Sequence, residues 1–316
     1  MGTLSLEFWT EQDDFYIYAA ADGYEKELIL EGQAKAIRSR FNKIFDLLEN
    51  KKVQKVKELD EAVHWLSDQL ISPFADQVRI CNLVRFIVYE DLIRCTFDLL
   101  LFQETYLFLQ RPVCYQVDEG KGEDTPVIEL GSALLVADLT ADPEEACLAV
   151  SKLIPDSTYV EVKEADVGMI KAAADQVDVL VISAHGDLDE DNSGQVWIND
   201  ESISTKLIGK LEAWVVYFDS CLQGANMDYV QAFQDESDVQ FYLAPIISND
   251  AGDSSTKTML WFFEAVRDHG DPIQGLYGTR TRLFEYYRQK KKLDLVTSLN
   301  KAFCFRLYEF VDSEEE

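Results

Sequence analysis

Two stretches of this 316-residue chain end apolar runs on side chains that can react. "VLVISAHGD" (179–187) is apolar until it reaches His185 and Gly186, and "WVVYFDSC" (214–221) is apolar until Asp219, Ser220 and Cys221. Gly224 follows shortly after, and the next helix is expected to begin near Ala225. A cysteine at a strand-to-helix turn lies near a helix N-terminus, whose partial positive charge favours thiolate over thiol. An imidazole at the end of a neighbouring strand can protonate a departing amine, and backbone N–H groups at such turns can hold an oxyanion. Nucleophile, acid/base and oxyanion donors are the minimum set for attack on an amide.

The other residues of these types read differently. A second His-Gly-Asp, at 269–271, follows the helical run "STKTMLWFFEAVRD", so Gly270 is expected to be a helix C-cap and His269 a last-turn residue. His64 sits beside Trp65 in an amphipathic stretch, where a packed or surface histidine is the expectation. Cys81, Cys95, Cys114, Cys147 and Cys304 show no CxxC pair and no regular spacing; they read as buried and inert, in a reducing compartment.

The elements that would position His185 and Cys221 begin at about residue 130, where apolar strands alternate with amphipathic helices. "SALLVADL", "TYVEV", "VDVLVISA", "LEAWVVYFDSC" and "FYLAPII" read as strands. "PEEACLAVSKL", "ADVGMIKAAADQ" and "ANMDYVQAFQ" read as the helices between them. This alternation predicts an α/β fold in three layers, a mostly parallel central sheet with helices on both faces. In such sheets functional groups gather at the carboxyl edge of the strands. Residues 4–30 read as a hairpin or meander, followed by two helices with Ile37, Phe41, Ile44, Phe45 and Leu48 on one face and Leu59, Val63, Leu66 and Leu70 on the next. "NLVRFIVYE" (82–90) and "YLFLQRPVCYQV" (106–117) are expected to be strands. The organisation expected is an N-terminal part over 1–117, a polar flexible loop over 118–129, a catalytic part over 130–311 and an acidic tail over 312–316.

Composition narrows the function classes. Against 29 Lys plus Arg stand 58 Asp plus Glu, a net charge of −29, which repels phosphate backbones and anionic lipid and favours basic partners. No nucleic-acid or membrane partner is expected. With 47% hydrophobic residues the chain can bury a sizeable core, and no basic leader or long uncharged apolar run is present, so a cytoplasmic location is expected. GxGxxG, a phosphate loop and GxSxG are all missing, which disfavours a small-molecule α/β enzyme, and no cofactor is expected.

The pairing of a strand ending in His-Gly with one ending in Cys resembles the clan of caspase-like cysteine peptidases, and "YFDSCLQG" is similar to the Asp-Ser-Cys block of metacaspases. The order of "LVRFIVYEDLIRCTFDLL", "YLFLQRPVCYQV", "ALLVADLTADPEEACLAVSKL" and "LAPIISNDAGDSSTKTMLWFFEAV" around these blocks resembles the CHAT branch of that clan, over essentially the whole chain. The resemblance implies a cysteine endopeptidase with Cys221 as nucleophile, His185 as general acid/base, and the N–H groups of Gly186 and Cys221 as oxyanion hole. It implies that Asp219 lines the S1 pocket and selects Arg or Lys, with Asp250 and Asp253 on a nearby acidic loop. It also implies one dedicated protein substrate and an activating protein partner. The branch is often fused to TPR sensor repeats; the sequence has no TPR array, so the expectation is a sensor acting in trans, in bacterial signalling or antiviral defence.

Three other readings stand beside this one. A catalytically silent caspase-like scaffold is the alternative function. For Asp250 and Asp253 the alternative is capping of the helix that starts near Ser254. "DEDNSGQVWIND" (189–200) has nearly the ligand spacing of a calcium loop, although a strand rather than a helix precedes it; an acidic surface loop is the other reading.

Overall fold

The computed structural model describes residues 2–117, 127–173, 176–189 and 192–310. The sequence expectations for 118–126 and for the tail at 312–316 lie outside the described residues. The described residues fall into two compact units, one holding 2–117 with Phe284–Phe303 and the other holding 127–283 with 304–310. The segment Phe284–Phe303 thus groups with the N-terminal residues, although the sequence reading assigned it to the 130–311 part.

In the first unit, β1 (Thr3–Glu11), β2 (Asp14–Ala21) and β3 (Tyr24–Leu30) form an antiparallel meander. Strict alternation puts Leu4, Leu6, Phe8, Phe15, Ile17 and Ala19 on its buried face. The two amphipathic helices follow as α1 (Ala34–Glu49) and α2 (Val56–Leu70), then a short α3 (Ala75–Ile80). Phe97 stacks on Phe8 of β1 at 4.1 Å and meets Phe41 of α1 edge-on at 4.8 Å, which ties helix to sheet. Parallel strand β4 (Leu83–Val88) extends the sheet beside β1. After a two-residue hairpin, β5 (Leu101–Phe102) and β6 (Thr105–Tyr106), β7 (Val113–Val117) pairs with β4. The strand expected over 106–117 is therefore only half strand. Leu107–Leu109 turn as a 3₁₀ helix, and Pro112, which has no N–H to donate, precedes the paired residues.

The second unit is the α/β part. Its elements in chain order are β8 (Ser132–Ala137), α4 (Ala146–Val150), β9 (Asp156–Glu161), α5 (Val167–Ala173) and β10 (Val179–Ser183). Then come β11 (Gly186–Leu188), β12 (Gly194–Ile198), β13 (Glu201–Ser202), α6 (Thr205–Ile208) and β14 (Val215–Asp219). The rest are α7 (Met227–Glu236), β15 (Phe241–Pro245), α8 (Ser254–His269), α9 (Pro272–Glu285), α10 (Leu295–Phe303), which belongs to the first unit, and β16 (Phe305–Glu309).

The sheet order here is β16-β15-β14-β10-β8-β9, every pairing parallel except β15 with β16. Alternation along β14 shows the two helical layers directly. Phe218 meets Tyr229 and Phe233 of α7 on one face, while its neighbour Tyr217 meets Phe262 and Phe263 of α8 on the other. The fold is thus the expected α/β architecture, a mostly parallel sheet between helices. Gly270, at φ 69°, closes α8 in the left-handed conformation, and its N–H donates to Val266 at 2.7 Å, so the second His-Gly is the end of a helix.

Candidate active site

Strands β10 and β14 are parallel neighbours with Ser183 opposite Asp219, so their chains leave the sheet together at its carboxyl edge. Two residues further on, one carries His185 and the other Cys221. Neighbouring strands lie about 4.8 Å apart, so this register sets the imidazole and the thiol on adjacent strand ends. The turns that follow approach closer still. A Cβ on Gly186 would lie 3.0 Å from Gln223 Nε2 and 3.1 Å from Ser220 Cβ, so a side chain here would press on the Cys221 turn.

The His185 ring is held at one end. Its Nε2 lies 2.7 Å from Thr140 Oγ1, and that hydroxyl donates to Asp138 Oδ1 at 2.7 Å. A hydroxyl has one proton. With that proton given to Asp138, its oxygen accepts from Nε2–H, which leaves the lone pair of the neutral ring on Nδ1. Asp138 Oδ2, 3.9 Å from Nε2, adds a favourable charge when the ring is protonated. Both partners come from the turn just after β8, the strand next to β10.

Cys221 is partly exposed, whereas Cys81, Cys95, Cys114, Cys147 and Cys304 are buried. Burial pushes the Cys147 thiol well above the usual range and raises that of Cys81. The Cys221 Sγ lies 3.8 Å from the Asn249 carbonyl. The helix expected near Ala225 begins at Met227 instead, capped by the Asn226 side chain, with a 3₁₀ turn over Gln223–Ala225. Cys221 therefore precedes the helix by six residues, and the full helix terminus points at Asn226, not at the sulfur. What shapes the turn is Leu222, held at φ 65°, a costly conformation for a residue with a side chain.

That turn is anchored from several sides. Gln223, fully buried, donates from Nε2 to the Asp187 carbonyl at 2.8 Å and accepts from Asn226 Nδ2 at 2.7 Å. The Tyr242 hydroxyl donates to the Gln223 carbonyl at 3.0 Å, and the Tyr308 hydroxyl donates to that of Gly224 at 2.7 Å. A Cβ at Gly224 would run into the Ala244 carbonyl, so the backbone of β15 packs directly on the turn.

Asp219 sits below the edge, only 6% exposed. Ser183 (3.0 Å) and Ser255 (2.6 Å) donate to Oδ2, and Asn249 Nδ2 donates to Oδ1 at 2.7 Å. Burial pushes its carboxyl up to about 6 in spite of these three donors. Asp250 is partly exposed on the loop after β15. Asp253 stands at the N-cap position of α8 without a capping bond from its side chain, which instead pairs with Lys257 at 2.7 Å. The 189–200 stretch is no single loop. Residues 194–198 run extended in β12, and Asp189 accepts the N–H of Ser193, so the first and last acids stand at opposite ends of a strand and cannot close round one cation. Among the described residues no cluster of three or more His, Cys, Asp or Glu could hold a metal. No helix is long and apolar enough to cross a membrane, among the described residues.

Thr140, Asp138, Gln223, Asn249 and Ser255 were not singled out from the sequence. Each lies in a loop, in a turn or, for Ser255, in the first turn of α8, and its partner is distant in the chain.

No protein-family model matches the chain, and no curated protein sequence matches it. Among solved structures, the chain is similar to one in the separase–securin complex of Saccharomyces cerevisiae, at 10% identity and a TM-score of 0.42. The match covers 72% of this chain and 16% of the other, so this chain spans a small part of the length of the protein it resembles. Neither figure bears on the roles of His185 or Cys221.

Proposed function

We propose that the chain is a cysteine endopeptidase using Cys221 and His185. The observation that carries the reading is the register of β10 and β14, which puts a tethered imidazole and the one partly exposed thiol among the described residues on adjacent strand ends. The Cys221 thiol passes its proton to the free Nδ1 of His185, and the thiolate attacks the scissile carbonyl carbon while the C=O π pair moves to the oxygen, held by the N–H groups of Gly186 and Cys221. His185 gives its proton to the departing amine as the C–N bond breaks. Water then attacks the thioester, losing its proton to His185, and the acid product leaves as the thiolate re-forms.

The same reading assigns a basic P1 side chain. A cleft of about 470 Å³ along β11 is lined by Asp187, Asp189 and Asp228 together with Trp197, so the strand that follows His185 borders an acidic surface. Asp219 selects a guanidinium only if the Asn249 amide yields its place; Asp250 is the more accessible acid. The substrate is a protein, and a partner in trans orders the loop at 248–253 before cleavage.

Basic-P1 fluorogenic peptides and an electrophilic peptidyl probe, applied to wild type and Cys221→Ala, test this. Labelling and turnover confined to wild type are expected. Turnover that survives in Cys221→Ala sinks the assignment, and cleavage only after Asp or small apolar residues sinks the P1 preference.

A further inference from the structure

The β1–β2–β3 meander buries one face and leaves the other partly open. Its register lines up Glu7 with Tyr18 and Glu27, and Trp9 with Tyr16 and Ile29, as rows across the open face. Ile29 is 45% exposed. Trp9 lies flat on Tyr16, rings 5.1 Å apart and 14° from parallel, which fixes the indole. Beside it opens a cleft of about 610 Å³ lined by Glu7, Trp9, Thr10, Tyr18, Tyr89 and Asp91.

Three aromatic rings with a carboxylate at the wall suit a cation. Arg40 covers Trp65 at 3.7 Å and Arg282 covers Trp261 at 3.8 Å, but among the described residues no Lys or Arg lies over Trp9. Lys26 of β3 turns to the other face, where it donates to the Pro73 carbonyl and lies over Phe74. Arg38 is paired with Asp91 at 3.0 Å, which neutralises that acid and leaves Glu7, Glu25 and Glu27 to give the face its charge. Glu7 accepts from the Tyr89 hydroxyl at 2.6 Å, so its carboxylate is held at the cleft.

We propose that this face docks a basic segment of a partner protein, one Arg or Lys of which enters the cleft between Trp9, Tyr18 and Tyr89 with Glu7 as counter-ion. The proposal uses none of the residues around Cys221 and stands whether or not the chain is a peptidase. Charge complementarity selects the occupant, since the chain carries −29 overall and the open face is acidic and aromatic together.

Calorimetric titration of the full chain with an alternating Arg-Gly peptide, and with its neutral citrulline counterpart, tests the proposal. Wild type is expected to bind the Arg peptide and not the citrulline one. Trp9→Thr keeps a strand-forming residue and is expected to weaken binding about tenfold, while Trp9→Phe restores most of it. Glu7→Gln with Glu27→Gln is expected to weaken binding by a similar factor, because Gln at 7 still accepts from Tyr89. Glu201→Gln with Glu212→Gln removes the same charge elsewhere and is expected to leave binding within about twofold. Equal losses in the two double variants, full binding by Trp9→Thr, or no binding by wild type would each overturn the proposal.

Discussion

Replacing Asp219 by Asn separates a buried acid that weakens the fold from one that holds it together. The carboxyl is displaced from 3.8 to about 6, chiefly by burial, so the folded chain holds this proton more tightly than the unfolded one. Stability from this group is fully present below the ordinary carboxylate range and is lost as pH rises through about 6. The whole displacement corresponds to about 3 kcal/mol, of which about 1.4 kcal/mol falls between pH 8 and pH 5. Asn keeps the shape, and Ser183, Ser255 and Asn249 can reorient to pair with an amide. Urea unfolding of both proteins at the two pH values isolates the group, because every other acid is common to both. Wild type is expected to gain about 1.4 kcal/mol relative to Asp219→Asn on going from pH 8 to pH 5. At pH 8 the variant is expected to be at least as stable as wild type. Parallel behaviour at the two pH values, or a variant that is weaker by about 2 kcal/mol at pH 8, would refute the reasoning. The second result would mean that the three donors outweigh burial.

Iodoacetamide on the native chain is expected to give a single adduct, at Cys221, with the five buried cysteines reacting only after unfolding, as read by intact and peptide mass spectrometry. A different first adduct would move the reactive sulfur elsewhere. Thr140→Val removes the acceptor for His185 Nε2–H and is expected to lower kcat about tenfold or more with KM little changed and an altered pH profile. Unchanged kcat and pH profile would show that the ring needs no such tether. Gly186→Ala drives a methyl against Ser220 and Gln223 and is expected to cost about 1–3 kcal/mol in thermal or urea unfolding, with loss of turnover. A variant as stable and active as wild type would mean that the two turns yield freely.

The α/β alternation was legible because β8, β10, β14 and β15 are nearly uninterrupted apolar runs and α7 and α8 carry helical spacing. Other strands were hidden by their own charges. β16 is wholly buried yet holds Arg306 and Glu309, the arginine donating to Tyr308 at 3.2 Å, so no apolar pattern announces it. The small sheet of β11, β12 and β13 is hidden in the sequence because its polar, acidic residues fit a turn as well as an exposed strand. Within the site, strand ends could be read from where apolar runs stop, but nothing local marks Thr140 as the partner of His185, 45 residues away. The helix expected near Ala225 starts at Met227, two residues later, because the packing of β15 against Gly224 holds the chain in a tighter turn first.

Asn249 joins two things that chemistry would otherwise keep apart. Its carbonyl rests against the Cys221 sulfur and its amide against the acid in the interior, so whatever lifts this one residue frees the first and strips the second of a donor in the same motion. Displacement of the loop would therefore register deep in the core as well as at the surface, as a change in proton affinity at Asp219.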